Sequence, residues 1–326
     1  MKAVEVKELT KRYGTLEAVK GISLSVEKGE IFGLLGPNGA GKTTTINILC
    51  TLQKATSGEA WVNGFPVARQ RDEVRRSIGL VFQDPSLDDY LTAYENMSFH
   101  AWCYGVPGGV RRERIRMLLE MVQLWERRND QVKTFSGGMK RRLEIARGLL
   151  HYPAVLFLDE PTLGLDPQTR RRIWEYIMEL REQEGLTIVM TTHYMDEAEP
   201  CHRIAVIDEG RIVALDSPEG LKRRLGGDVV ILETDDNQGV ALELERRYSL
   251  AAELRDGSLR FTVDRGSQFI PELMRSLGQG IRSINLRRPT LDDVFLSLTG
   301  HDIRDEKPDS RAEIRAHFRQ RGGPRR

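Results

Sequence analysis

The sequence predicts an α/β fold followed by a small α+β domain, and three stretches carry that prediction. Ile31-Phe32-Gly33-Leu34-Leu35 reads as a short buried strand and Thr44 onward as a helix, with a Gly-rich turn between them. Val155-Leu156-Phe157-Leu158-Asp159-Glu160 is a second apolar strand, ending in two acids. After Asp216-Ser217-Pro218 the elements read strand, helix, strand, strand, helix, strand.

The turn is Gly36-Pro37-Asn38-Gly39-Ala40-Gly41-Lys42-Thr43-Thr44, which has the pattern G-x-x-x-x-G-K-[ST] of a phosphate-binding P-loop. Running from strand through turn to helix aims several backbone N–H groups and a positive helix end at one spot. Gly36, Gly39 and Gly41 permit backbone conformations and close approaches that a Cβ would forbid. Lys42 supplies a point charge for β- and γ-phosphates, and the Thr43 hydroxyl suits Mg²⁺. A chance lysine in a Gly-rich turn would lack the flanking strand and helix. The expected fold is therefore a P-loop NTPase core that binds a nucleoside triphosphate.

Composition allows this and narrows the alternatives. A chain of 326 residues with 40% hydrophobic content has room for two globular domains. Lys+Arg 49 against Asp+Glu 48 leaves a net charge of +1, so no overall basic field for nucleic acid exists. Cys50, Cys103 and Cys201 are widely spaced and read as reduced thiols of a cytosolic protein. Met1 to Tyr13 is charged and has no apolar targeting core, and apolar runs such as Ala154–Leu158 fall far short of the ~20 residues a spanning helix needs.

The acids closing the second strand suit metal and proton work. Asp159, delivered beside the P-loop, is expected to hold Mg²⁺, and Glu160 to orient or deprotonate the attacking water. Phe135-Ser136-Gly137-Gly138-Met139 then opens an amphipathic helix with apolar Leu143, Ala146 and Leu150. Ser136 is placed as N-cap, and the two glycines leave first-turn amides uncovered, making a second anion-binding helix end. One phosphate group rarely needs two such ends from one chain.

With these residues in view, the chain resembles the nucleotide-binding subunit of an ABC transporter over roughly residues 2–220. Phe135–Met139 resembles the family signature Leu-Ser-Gly-Gly-Gln, departing at Phe135 and at Met139, where a thioether replaces an amide; the Met form resembles a drug- and polyketide-exporter subgroup. The resemblance implies an adenine-stacking role for Tyr13 and a Q-loop role for Gln83, touching Mg²⁺ and water and sensing the membrane partner. It also implies that Leu163-Gly164-Leu165-Asp166 is the D-loop crossing a dimer interface, and that His193 is the switch histidine on the γ-phosphate. Two copies would stack head to tail, each ATP held between one copy's P-loop and the other's Ser136-Gly137-Gly138. A separate transmembrane permease, not in this chain, would be the other partner, placing the protein at the cytoplasmic face of the membrane as the ATPase of a drug, antibiotic or lipid exporter.

Two further readings are weaker. A soluble ABC-type ATPase of translation or DNA repair usually has two P-loops or long coiled coils, and this chain has one P-loop and no heptad run. A nucleotide-dependent scaffold that barely hydrolyses ATP is opposed by intact Glu160 and His193.

The expected organisation is an ATP-binding domain over 1–220, with a helical subdomain over about 86–150, an accessory α+β domain over 228–300 and a basic tail over 301–326. Alternating apolar positions in residues 2–34 suggest an antiparallel β-region. Tyr94–Trp102 and Arg111–Trp125 are patterned as helices, with Arg112, Arg116 and Arg127 on a solvated face. In the accessory domain, Val229–Glu233, Ala251–Arg255, Ser258–Val263 and Ile281–Leu286 read as strands, and Val240–Tyr248 and Phe269–Leu277 as helices. Asp256-Gly257 reads as a hairpin turn, and the element order is that of a ferredoxin-like split unit. Thr290 and Asp293 cap a last helix, and Pro289–Phe295 resembles the ending of daunorubicin-resistance-type exporter ATPases. That domain is expected to brace the dimer, with sensing of substrate or regulation as the other reading. The tail, rich in arginine from Arg315 onward, is expected to be mobile, with contact to anionic lipid as a further reading.

Overall fold

The computed structural model describes residues 1–300 apart from Pro85, Asp256, Gly278 and Gln279, and leaves the side chains of Leu180, Gln183 and Glu184 undescribed. The tail expected over 301–326 lies outside the described residues, as does Asp256 of the expected hairpin turn.

In chain order the first elements are β1 (Lys2–Tyr13), β2 (Leu16–Glu27), β3 (Ile31–Leu35), α1 (Lys42–Leu49), β4 (Ser57–Val62), β5 (Phe65–Pro66), α2 (Arg71–Ser77) and β6 (Ile78–Val81). Then come α3 (Ala93–Cys103), α4 (Gly108–Met121), α5 (Gly137–Gly148), β7 (Val155–Asp159), α6 (Pro167–Glu184), β8 (Thr187–Thr192), α7 (Met195–Ala198), β9 (Arg203–Asp208) and β10 (Arg211–Asp216). The chain continues through α8 (Pro218–Arg223), β11 (Asp228–Thr234), α9 (Asn237–Tyr248), β12 (Glu253–Arg255), β13 (Ser258–Val263), α10 (Gly266–Leu277), β14 (Ile281–Arg287) and α11 (Leu291–Thr299).

The described chain divides into two compact units, meeting in sequence at Leu215 and Asp216. In the first, a sheet of order β10-β9-β3-β8-β7-β6 carries parallel pairs between β3 and β8, β3 and β9, β7 and β8, and β6 and β7. Strands β3, β7 and β8 are buried along their whole lengths, which is why they read as unbroken apolar runs. The register places Leu35 opposite Thr192, Asp159 opposite Thr191, and Val81 opposite Leu158. The carboxyl ends of β3, β8, β7 and β6 therefore finish together, and whatever follows each strand is delivered to one rim.

An antiparallel sheet of order β2-β1-β4-β5 completes this unit. The expected antiparallel region over 2–34 is corrected in two ways. Its last strand, β3, joins the parallel sheet, and β4 and β5 complete the antiparallel one, with Val4 opposite Val62. Between the sheets lies one core that includes Val4, Val26, Phe32, Ile46, Val62, Phe157 and Val189.

The helical region departs from expectation at its second helix. It begins at Gly108 and stops at Met121, because Gln123 takes φ 57 and Trp125–Arg127 forms a separate short turn. Arg114, on the same helix, is buried; its guanidinium donates to the Leu149 carbonyl at 2.9 Å and lies 3.9 Å from the Tyr152 ring centre.

The second unit holds an antiparallel sheet of order β12-β13-β11-β14. Val230, Leu232, Leu244, Leu259, Phe261 and Leu273 form its core. Strand β12 is three residues, shorter than the five expected, and exposed throughout. Helix α11 opens with the expected reciprocal cap between Thr290 and Asp293 and buries Leu291, Val294 and Phe295.

Candidate functional site

The loop after β3 is held open by its own glycines. Gly39 and Gly41 take φ 82 and φ 101, a region that costs other residues energy. A Cβ on Gly36 would stand 2.1 Å from the Ile207 carbonyl oxygen, and one on Gly41 would stand 2.5 Å from that of Ala18. Both obstacles are backbone, so neither can swing aside. Gly36→Ala is accordingly expected to displace the loop; a thermal melt and a nucleotide titration should both move, and an unchanged pair would contradict the packing described.

Lys42 opens α1 and is buried, its Nζ donating to the carbonyls of Gly36 at 2.7 Å and Pro37 at 3.0 Å. The same Nζ stands 3.5 Å from Glu160 Oε1. Asn38 and Gly39 are exposed at the loop's mouth, Ala40 is buried, and Thr43 and Thr44 are half-buried.

Asp159, the last residue of β7, accepts hydrogen bonds from Thr191 Oγ1 at 2.6 Å and Thr43 Oγ1 at 3.1 Å. Burial raises its carboxyl above the usual value, the two hydroxyls oppose this, and the neighbouring Glu160 charge adds to the rise. A buried acid strained in this way, next to a second acid and a threonine hydroxyl, fits an oxygen-ligand divalent cation.

Glu160 gathers the other predicted groups. Its Oε2 accepts from Gln83 Nε2 at 2.9 Å, and its Oε1 lies 3.3 Å from His193 Nδ1. Burial pushes its carboxyl up, but the His193 hydrogen bond and the Lys42 charge outweigh that, leaving it below the ordinary range. Its backbone takes φ 46, uncommon for a side chain of this size, and its N–H is tied to the Thr191 hydroxyl at 3.0 Å.

Sequence order alone did not reveal the groups that support these. Thr192 Oγ1 donates to the buried Glu197 at 2.6 Å, and Thr162 donates to the same carboxylate, fixing the strand end before His193. Arg141, in a run of basic residues that suggests a solvated face, is buried beneath the Glu160 turn. The only local signal for it is the Arg141–Glu144 spacing of three on a helix, a pair that meets at 3.2 Å.

The remaining predicted residues sit elsewhere. Ser136 caps α5, accepting from Met139 N at 3.3 Å, and Ser136 and Gly137 are exposed. A Cβ on Gly138 would meet Thr169 Cγ2 at 2.4 Å, and Asp166 caps α6 by accepting from Thr169 N at 3.0 Å. The starts of α5 and α6 thus pack together. Tyr13 donates its hydroxyl to Gln53 and has Lys11 Nζ 5.0 Å from its ring centre.

Comparison with known proteins places the chain among recognised families. Residues 19–163 match the family model described as ABC transporter, and residues 217–299 match the ATP-binding protein DrrA1-3-like C-terminal domain. The chain is 39% identical to the linearmycin resistance ATP-binding protein LnrL of Bacillus subtilis, over 93% of this chain and 100% of that protein. It is 41% identical to the daunorubicin/doxorubicin resistance ATP-binding protein DrrA of Streptomyces peucetius, over 96% and 97% of the two chains. Among solved structures, a dimeric ATP-binding cassette in a post-hydrolysis state with ADP and phosphate superposes with a TM-score of 0.60 at 32% identity, covering 66% of this chain and 98% of that one.

Proposed function

The chain belongs to the ABC transporter family as one of the ATP-binding subunits that power a separate permease, and we propose that Glu160 is the base of its ATPase site. The observation that supports this best is the convergence of Lys42, Gln83 and His193 on one buried carboxylate, at a rim where four strands end together. Loop amides and Lys42 would receive the phosphates of ATP, Lys42 exchanging its carbonyl partners for phosphate oxygens. Glu160 would take a proton from water as the water oxygen bonds to the γ-phosphorus and ADP leaves with the electrons of the broken P–O bond. Gln83 and His193 would hold the carboxylate and that water in line.

Thr43, Asp159 and Gln83 would hold Mg²⁺, which when bound neutralises charge on the β- and γ-phosphates. Purified protein is expected to release phosphate from ATP with Mg²⁺ and to lose nearly all turnover in EDTA. Full turnover in EDTA would remove Asp159 and Thr43 from that role.

The second phosphate-binding end is read as acting in trans. Ser136 and Gly137 stand exposed and Gly138 half-buried, and with the α5 helix end they would complete the site of a second copy, with Tyr13 stacking on adenine and Asp166 at the junction. Each charge-assisted bond to the γ-phosphate is worth roughly 1.5–3 kcal/mol, so losing several on hydrolysis would let the copies part. The relatives named for linearmycin and daunorubicin resistance support export of an antibiotic-like molecule, with a lipid as the other cargo read from the sequence. No helix among the described residues is long and apolar enough to cross a membrane, so membrane attachment would come through the permease. The antiparallel sheet order β12-β13-β11-β14 supports reading the second unit as ferredoxin-like, and its proposed role is to brace the dimer.

A further inference from the structure

We propose that Arg141 is a positioning residue that sets Gln83 and Glu160 in one frame, a reading that rests on Glu160 being the catalytic base. Its guanidinium is spread beneath both residues. Nη2 donates to the carbonyls of Asp159 at 3.1 Å and Glu160 at 3.0 Å, Nε donates to the Pro161 carbonyl, and Nη1 donates to that of Phe82, the residue before Gln83. Nη1 also meets Glu144 Oε2 at 3.2 Å. The fork thus joins the turn after β7 to the segment after β6, two stretches that share no peptide bond.

Two details make this more than packing. Glu160 holds φ 46, a conformation that persists only where the surroundings determine it from several sides. Thr191 holds that residue by its N–H and Arg141 by its carbonyl, so the side chain is aimed by both. The same face of α5 also grips the segment beyond Gln83. Glu144 Oε1 accepts from Ser86 N at 2.8 Å, and Arg147 Nη1 donates to Ser86 O at 2.7 Å. Residues 141, 144 and 147 follow helical spacing, so one stripe of α5 carries all of these contacts. A planar fork with five fixed donors does this; a lysine ammonium cannot reach the same set of carbonyls.

The test is steady-state ATPase kinetics on the full chain. Arg141→Ala should lower kcat about 10- to 100-fold, the scale of a small misplacement of reacting groups, while KM for ATP stays within about threefold. Added methylguanidinium should restore kcat saturably, and Arg141→Lys should stay well below wild type. Combined with Glu160→Gln, Arg141→Ala should add almost nothing further, because its effect passes through that carboxylate. If Arg141→Ala does not accumulate as folded protein, Arg141→Gln is measured instead, with the same kcat loss at unchanged KM expected. Wild-type kcat in a folded variant, a rise in KM alone, or a loss that guanidinium leaves untouched would overturn the proposal. If Glu160→Gln itself turned over normally, the underlying reading would fail; if only the Arg141 variants did, this inference alone would fall.

Discussion

Glu160→Gln is expected to bind ATP as tightly as the wild type while phosphate release falls about 10²–10⁴-fold, the usual contribution of a positioned base. The amide keeps the shape and can still meet Gln83 and His193, now 2.9 Å and 3.3 Å from the carboxylate, but it cannot accept the water's proton. In the proposed site Lys42, not Glu160, would face the phosphates, so affinity should survive. The pH profile supplies an independent check. Burial raises the Glu160 carboxyl, yet the His193 bond and the Lys42 charge bring it below its reference value of 4.5. The folded pKa is therefore depressed. The stabilisation this group gives is present above pH 4.5 and is lost as pH falls through the folded value. The base stays ionised through the neutral and mildly acid range, so turnover should show no acid limb belonging to Glu160 there. Near-normal phosphate release by Glu160→Gln would remove it from the catalytic role.

Lys42→Ala is expected to weaken ATP binding about 10- to 100-fold, from the roughly 1.5–3 kcal/mol of one charge-assisted hydrogen bond. A further loss comes from within the loop. Nζ now donates to the carbonyls of Gly36 and Pro37 and stands 3.5 Å from Glu160, so its removal takes a donor from the Gly36 carbonyl, leaves the Pro37 carbonyl with the Ala40 N–H alone, and takes a cation from a buried acid. Calorimetric titration with nucleotide measures the affinity directly, and an unchanged constant would contradict the phosphate-binding role of the loop. The two variants therefore separate cleanly: one loses chemistry with binding kept, the other loses binding first.

The legibility of this fold in the sequence depended on how local each signal was. The loop from Gly36 to Thr44 could be read because its glycines and lysine act within nine residues of one another. Asp159 and Glu160 could be read because a wholly buried strand shows as an apolar run with a polar end. Strand β4 was missed: only Ala60 and Val62 of Ser57–Val62 are buried, and its partner Val4 lies far off in the chain. Arg114 and Arg141 look like solvated charges in basic helices, and carbonyls distant in sequence help make their burial tolerable. Residues after 300 lie outside the described structure, and the lipid contact expected there stays a proposal to be tested by trimming the tail and following membrane recovery across salt concentrations.

Light scattering on Glu160→Gln, with and without ATP, reaches the central idea most directly, since a nucleotide that is held but not cleaved should keep both halves of each site together. A mass of one chain without nucleotide and two with ATP is the predicted outcome. A single-chain mass at saturating ATP, in protein that binds the nucleotide, would contradict the two-copy site.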